Sequence, residues 1–167
     1  MTRNRMSAAA CRGALAACVL AASPAALGQE RAVPPAKDTI FARKTLMGAI
    51  DMNMDEIETM LAPEGKLELA EGQEHAETIS TMLMAFPHMF PPPTNQWKPN
   101  ADRDPAYDTF ASPDVWTNFT DFYQRAAAAS KLAYDASRAK RADTFKPLIM
   151  ELRAACNACH AAYLKTD

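Results

Sequence analysis

Five consecutive residues near the end of the chain carry most of its chemistry: Cys156, Asn157, Ala158, Cys159 and His160. Thiols three residues apart stand about one turn apart on a helix, so both can add to the two vinyl groups along one edge of a porphyrin. The imidazole that follows is then placed to reach the iron from one face. Cys-x-x-Cys-His is the spacing of c-type haem attachment, and covalent attachment keeps the macrocycle on a chain too small to enclose it otherwise. Other uses of these residues are served less well. A thiol-redox pair belongs beside a βαβ pattern, which the sequence lacks. A structural zinc site needs four ligands, and Cys156, Cys159 and His160 supply three with no fourth nearby. A disulfide across so short a loop would stabilise little.

The compartment suits a haem. Arg3, Arg5 and Arg12 precede an apolar stretch from Ala14 to Ala22 and a small-residue end, Ala26-Leu27-Gly28. This pattern predicts a secretory signal peptide over residues 1–28, cleaved near Gly28, and a single domain over residues 29–167. The apolar stretch is too short to span a membrane. Cleavage removes Cys11 and Cys18, leaving the Cys156/Cys159 pair, and takes the formal charge from −2 to −5 because three basic residues leave with it. An acidic chain without a basic patch is a poor binder of nucleic acid. The expected location is the periplasm.

The elements that must position the motif are helical. Five Gly among 167 residues, with 8% aromatics and abundant Ala and Met, argue against disorder and a β-sandwich. The first helix is expected from about Lys37 to Leu61, where Ile40, Met47, Ile50, Met54, Ile57 and Leu61 form an apolar stripe at 3–4 spacing. Arg43 interrupts that stripe. Pro63 and Gly65 end it. The second helix is expected from about Lys66 to Phe86, carrying Leu69, Gly72, Ala76, Ile79, Leu83 and Phe86, and ends at the prolines from Pro87 to Pro93. A long connection to about Ala111 reads as a crossover rather than a tight turn. Ser112-Pro113-Asp114 is a helix start, opening a third helix with Val115, Phe119, Phe122, Ala126, Ala129, Ala133 and Ala136 on one side. Those small residues would admit a neighbouring helix or a flat cofactor at close range. The fourth helix is expected to start with Thr144 as its cap and to carry Phe145, Leu148, Leu152, Cys156, Cys159 and Tyr163. The predicted fold is all-α, a four-helix bundle with one long crossover connection.

With its lone Cys-x-x-Cys-His near the C-terminus, this pattern resembles the class II c-type cytochromes, which comprise the five-coordinate cytochromes c′ and the six-coordinate c-556 type. Arg43-Lys44-Thr45-Leu46-Met47 is similar to the family's first-helix segment, Met89-Phe90-Pro91 to the end of its second helix, Val115-Trp116 to the start of its third, and Cys156 to Tyr163 to its last. The resemblance implies one covalently bound haem c with His160 as proximal iron ligand. It places the distal residue at Met47, which in the c-556 type is the sixth ligand; Met54 and Met52 are the other sulfurs in reach of consideration. It also implies that Arg43 pairs with a haem propionate, the alternative being that the side chain snorkels at the helix end. Two departures bear on the choice, one of them the long connection from Phe90 to Ser112, which is similar to the c-556 type. Cytochromes c′ usually carry a basic residue four positions after the haem His, whereas this chain has Leu164 there, followed by Lys165.

These residues lead to an expectation of a periplasmic one-electron carrier of the c-556-like type, with His160 and Met47 on the iron and no enzyme activity. It would meet redox partners transiently, favouring partners with a positive patch, with a homodimer possible. The alternative is a five-coordinate cytochrome c′ with an open distal site for NO or CO. His88 is expected on a loop surface, His75 on a solvated helix face, and Trp97 and Trp116 in packing.

Overall fold

A computed structural model describes residues 34–99 and 104–165; the predicted signal peptide lies outside the described residues. Helix α1 spans Ala36–Leu61, α2 Leu69–Ala85, α3 the single turn Asp114–Thr117, α4 Phe119–Ser137 and α5 Ala142–Tyr163. The only ladder-type pairing among the described residues is an isolated antiparallel bridge between Ala111 and Leu164. Four long helices thus form the expected bundle, and none is long and apolar enough to cross a membrane.

Most of the stripes read from the sequence are buried, but Phe119 is 40% exposed, and on α5 Ile149 is buried where Leu148 was expected. Ile40, Ile50, Met54 and Ile57 of α1, Ala76, Ile79 and Leu83 of α2, and Phe145, Ile149 and Leu152 of α5 are all shielded from water. α2 packs along α1 on one side and α4 on the other, and α4 packs along α5, whereas α1 and α5 scarcely approach each other. The α2–α4 contact is built from small side chains. Ala76 and Ser80 face Ala129, Ser130 and Ala133. The Ser80 hydroxyl donates to the Ser130 carbonyl at 2.9 Å and the Ser130 hydroxyl to the Ser80 carbonyl at 2.8 Å. Buried hydroxyls need such partners.

Three element boundaries differ from the sequence reading. The third helix is broken after one turn, because Asn118 leaves helical geometry (φ −118°, ψ 37°) and closes α3 while its carbonyl opens α4. An Asn side chain competes for backbone partners and is a poor helix-interior residue. The expected Ser112 start is real at α3, where the hydroxyl accepts the Asp114 N–H at 3.2 Å. α2 begins at Leu69, three residues late, with Lys66 and Glu68 paired to each other in the connection before it. α5 begins at Ala142, and Thr144 is not its cap: the Arg141 carbonyl accepts from Thr144 and Phe145, and the Arg141 side chain pairs with Asp143.

Two glycines are required by close approach. At the end of α1 a Cβ on Gly65 would run into the Thr59 carbonyl, and on α2 a Cβ on Gly72 would lie 2.9 Å from Cζ of Phe145.

The crossover from Phe86 to Pro113 is pinned at several points. It opens with two short 3-10 turns, Phe86–Met89 and Pro92–Thr94. Thr94, Thr109 and Ser112 are buried in its course. Arg43 of α1 donates from Nη1 to the Thr94 hydroxyl at 2.9 Å and from Nη2 to the Thr109 hydroxyl. At the far end Ser112 N–H donates to the Tyr163 carbonyl and Lys165 N–H to the Phe110 carbonyl, both at 2.8 Å, so the crossover is stitched to the end of α5. Around these ties Phe86, Phe90, Val115, Phe122 and Tyr163 form a second, aromatic core. Trp116 donates from its indole N–H to the Phe90 carbonyl at 3.0 Å.

Gly72→Ala should lower the melting temperature of the haem-loaded protein. Overpacking a tight site costs about 1–3 kcal/mol, against a helix-propensity gain of at most ~1 kcal/mol; an unchanged or raised melting temperature would mean that Phe145 yields freely. Arg43→Met removes both donors to the crossover while keeping a stem of similar length. Hydrogen bonds from a charged group are worth about 1.5–3 kcal/mol each. Protease cleavage within residues 91–111 should therefore accelerate by roughly tenfold with helix content unchanged, and equal cleavage rates would show that other contacts hold the crossover.

Candidate functional site

Because α1 and α5 stand apart, a cavity of about 480 Å³ opens between them. That volume is in the range of sites that take a cofactor. Ala155, Cys156, Cys159 and His160 of α5 form one wall, Met47, Gly48, Ile50 and Met54 of α1 the opposite one. Ile79, Leu83 and Phe86 make the floor from α2, and Phe122, Ala126 and Ala129 line the α4 side. Phe90, Thr109, Phe110 and Ala111 of the crossover close one end.

The motif sits where the sequence predicts, on the last turns of α5. Cys156 and Cys159 are half-buried free thiols, and His160 is exposed at the cavity's edge. Burial raises the pKa of both thiols; Arg153 opposes the shift at Cys156, and Arg125 at Cys159. Reactive thiol-redox cysteines have lowered pKa values, so the direction found here argues against that chemistry. Among the described residues no three His, Cys, Asp or Glu side chains converge as a metal site, so the zinc reading gains no fourth ligand. The residues present do fit a haem c. Two thiols one turn apart and an imidazole border a cavity whose remaining walls are chiefly apolar.

Met47 is half-buried and shares the cavity with His160. Met54 also reaches the wall but is 2% exposed within the main core, and Met52 is 70% exposed and does not line the cavity. His88 lies exposed with its ring against Tyr123, away from the cavity. His75 departs from the solvated position expected of it: it is half-buried, with Nδ1 2.8 Å from Oδ1 of Asn53 on α1. The 3–4 spacing of α2 placed His75 off the apolar stripe, but not the neighbouring helix over it.

Arg43 is 3% exposed. Its guanidinium lies over the Phe90 ring, 4.5 Å from the centroid, and 5.6 Å from that of Trp116. Its hydrogen-bond partners are neutral threonine oxygens, and no carboxylate among the described residues pairs with it. Burial alone lowers its pKa to about 10. A buried cation without a counter-charge is costly, and this one borders the cavity. Beside it Lys44 donates to the Asp108 carbonyl at 3.0 Å.

Sequence reasoning missed two further cations at the site. Arg153 of α5 donates to both carboxylate oxygens of Glu58 on α1, at 2.6 and 2.9 Å, with Asp51 and Asp55 within 3.7 Å. Arg153 thus bridges the two separated walls. Arg125 of α4 donates to Asp121 at 2.7 Å. The signal for Arg153 was the acidic run Asp51, Asp55 and Glu58 at helical spacing on α1, which marks a face awaiting a cation.

The family described as Cytochrome C' matches residues 38–164. No curated protein sequence gives a match. Among solved structures, the cytochrome c prime from Shewanella frigidimarina superposes with a TM-score of 0.69 at 18% identity, over 81% of this chain and 100% of that one. A cytochrome c′ described as having an unusual ligand-controlled dimer dissociation gives 0.68 at 20% identity, with the same coverages. The nitric oxide complex of a mutant cytochrome c prime from Alcaligenes xylosoxidans gives 0.67 at 19%, again over 81% and 100%. These likenesses carry the fold, and the family match, which runs from the first turn of α1 through the Cys-x-x-Cys-His motif, carries the cofactor, one covalently attached haem c: the chain belongs to the cytochrome c′ family.

Proposed function

We propose that this protein is an exported monohaem cytochrome c′ whose cavity holds the macrocycle between α5 and α1 and leaves the α1 side for a small uncharged ligand such as NO or CO. The single observation that carries this reading is the cavity itself, lined by Cys156, Cys159 and His160 of α5 and by Met47, Ile50 and Met54 of α1, with Arg43, Lys44 and Asp51 the charged residues of the α1 side. The family match to cytochrome c′ supports the open form over the c-556-like form expected from the sequence. The relative solved as a nitric oxide complex lends the ligand class.

When bound, haem c supplies an iron that changes charge by one electron and can accept a small neutral ligand. The chain's residues do the rest. Cys156 and Cys159 hold the macrocycle through thioethers, and His160 offers its imidazole from the α5 side. Arg43, lacking a carboxylate partner of its own, receives a propionate. Ile50, Leu83, Phe86 and Phe122 keep water from the buried face. The role is carriage of a gas or an electron rather than turnover of a substrate. Residues 1–28 serve as the export signal and residues 29–167 as the working domain, in the periplasm. Redox partners engage transiently, and a homodimer is part of this proposal, in line with the relative whose dimer dissociation is ligand-controlled.

A second reading has its own observation: Met47 lines the same cavity as His160. A sulfur from Met47 on the iron would make the protein a six-coordinate electron carrier. One experiment separates the two. Protein matured with covalent haem is examined by optical spectroscopy, oxidised and reduced, and the reduced form is mixed with CO, for wild type and Met47→Ala. The open-site reading expects a high-spin spectrum, rapid CO binding, and less than about a tenfold change in CO association on mutation, a difference of ~1.4 kcal/mol in barrier. A long-wavelength Met–iron charge-transfer band that vanishes in Met47→Ala, with CO binding fast only in the variant, would establish the six-coordinate form instead.

A further inference from the structure

Four cations border the cavity, and they are neutralised to very different degrees. Arg153 is bound by Glu58 and flanked by Asp51 and Asp55. Arg43 and Lys44 donate to neutral oxygens of the crossover. Arg125 is held by a single carboxylate, with Nε 2.7 Å from Oδ2 of Asp121. That same Oδ2 accepts the Tyr163 hydroxyl at 2.5 Å. A carboxylate on α4 therefore ties the cation to a side chain three residues beyond His160 on α5. Tyr163 is itself fixed: its ring is buried against Phe122, centroids 5.3 Å apart, and its carbonyl accepts the Ser112 N–H from the crossover. Arg125 thus reaches the cavity on the side where Cys159, His160 and Leu164 also line it.

We propose that Arg125, positioned by Asp121 and through it by Tyr163, is the charge that sets the reduction potential of the haem from the His160 side. The inference rests on the haem reading above. A positive charge near the iron favours the reduced form, which carries one positive charge fewer, and a negative charge favours the oxidised form. Arg125 and Asp121 act in opposite senses, and Arg125 is the one that lines the cavity. Its side chain is 40% exposed, so salt screens part of its effect. Leu164, four positions after His160, is uncharged; the cation that acts on Cys159 is Arg125 of α4, while Arg153 of α5 acts on Cys156 from within its own acidic cluster.

The test is an equilibrium redox titration, followed optically, of covalently loaded wild type, Arg125→Gln, Arg125→Lys and Asp121→Asn, at low and high ionic strength. At a fixed solution potential, Arg125→Gln should lower the reduced-to-oxidised ratio by on the order of tenfold. Asp121→Asn, which leaves the cation without its counter-charge, should raise that ratio. Arg125→Lys should stay close to wild type, and the spread among variants should narrow as salt rises. A merely structural role would move Arg125→Gln and Asp121→Asn in the same direction, because each removes the same ion pair. That result, or unchanged potentials in both, overturns the proposal. Should Arg125→Gln fail to fold, the opposite behaviour of Asp121→Asn and the near-wild-type potential of Arg125→Lys still decide it. A wild-type protein that takes up no covalent haem under maturation would overturn the haem reading, and this proposal with it, and is recognised by its lack of colour.

Discussion

Ser80 and Ser130 exchange hydrogen bonds across a contact that also carries Ala76, Ala129 and Ala133, and the closeness of α2 and α4 that results is what the rest of the molecule depends on. Only side chains this small let two helix backbones approach while their buried hydroxyls remain satisfied. With α2 and α4 fixed as a spine, α1 attaches to one flank through α2 and α5 to the other through α4. The space between α1 and α5 is then left open. A bundle of this size would ordinarily close such a gap, because each wall atom facing a void forfeits its dispersion contacts. Here the gap persists because the two helices are held by different partners, with the Arg153–Glu58 pair bridging it.

The crossover depends on the opposite kind of interaction, a polar one. A guanidinium 3% exposed is expensive unless its donors are used, and Arg43 spends them on Thr94 and Thr109 while its flat face meets Phe90. Those contacts hold in place a segment of nearly thirty residues that has no long helix of its own. Residues 104–113 then reach the end of α5, where Phe110 and Ser112 exchange main-chain hydrogen bonds with Lys165 and Tyr163. The crossover is therefore a wall of the cavity as well as a connection, and its position is dictated by one cation on α1 and two main-chain hydrogen bonds at the end of α5.

What the sequence made legible follows from what is local. Cys-x-x-Cys-His is contained within one turn and a half of helix, and the 3–4 stripes report burial because periodicity is a property of a single helix. Arg43 stood out for the same reason, as a charge on an apolar stripe. The break at Asn118 and the early start of α5 at Arg141 were hidden because each turns on a few tenths of a kilocalorie of local preference, which neighbouring packing overrides. Arg153 and the partner of the Tyr163 hydroxyl were hidden for a different reason. Their partners lie on other helices: Glu58 is 95 residues from Arg153 in the chain, and Asp121 is 42 from Tyr163. No periodicity within one helix reports which carboxylate a neighbouring helix will present.

The unequal neutralisation of the cavity's cations has a consequence for how a charged cofactor would enter. A haem carries carboxylates at one edge and apolar substituents at the other. At Arg153 three acids already surround the cation, so a further carboxylate there would meet net repulsion. At Arg125 the single carboxylate of Asp121 leaves a neutral pair. Arg43 alone is buried and without a counter-charge among the described residues, so a carboxylate there would offset a desolvation cost the folded chain already carries. The thiols of Cys156 and Cys159, in contrast, border an apolar stretch of wall formed by Phe122, Ala126 and Ala129. The distribution of charge around the cavity thus favours one orientation, with carboxylates toward α1 and the crossover and vinyl groups toward α5. That orientation is favoured by residues that make no covalent bond to the cofactor.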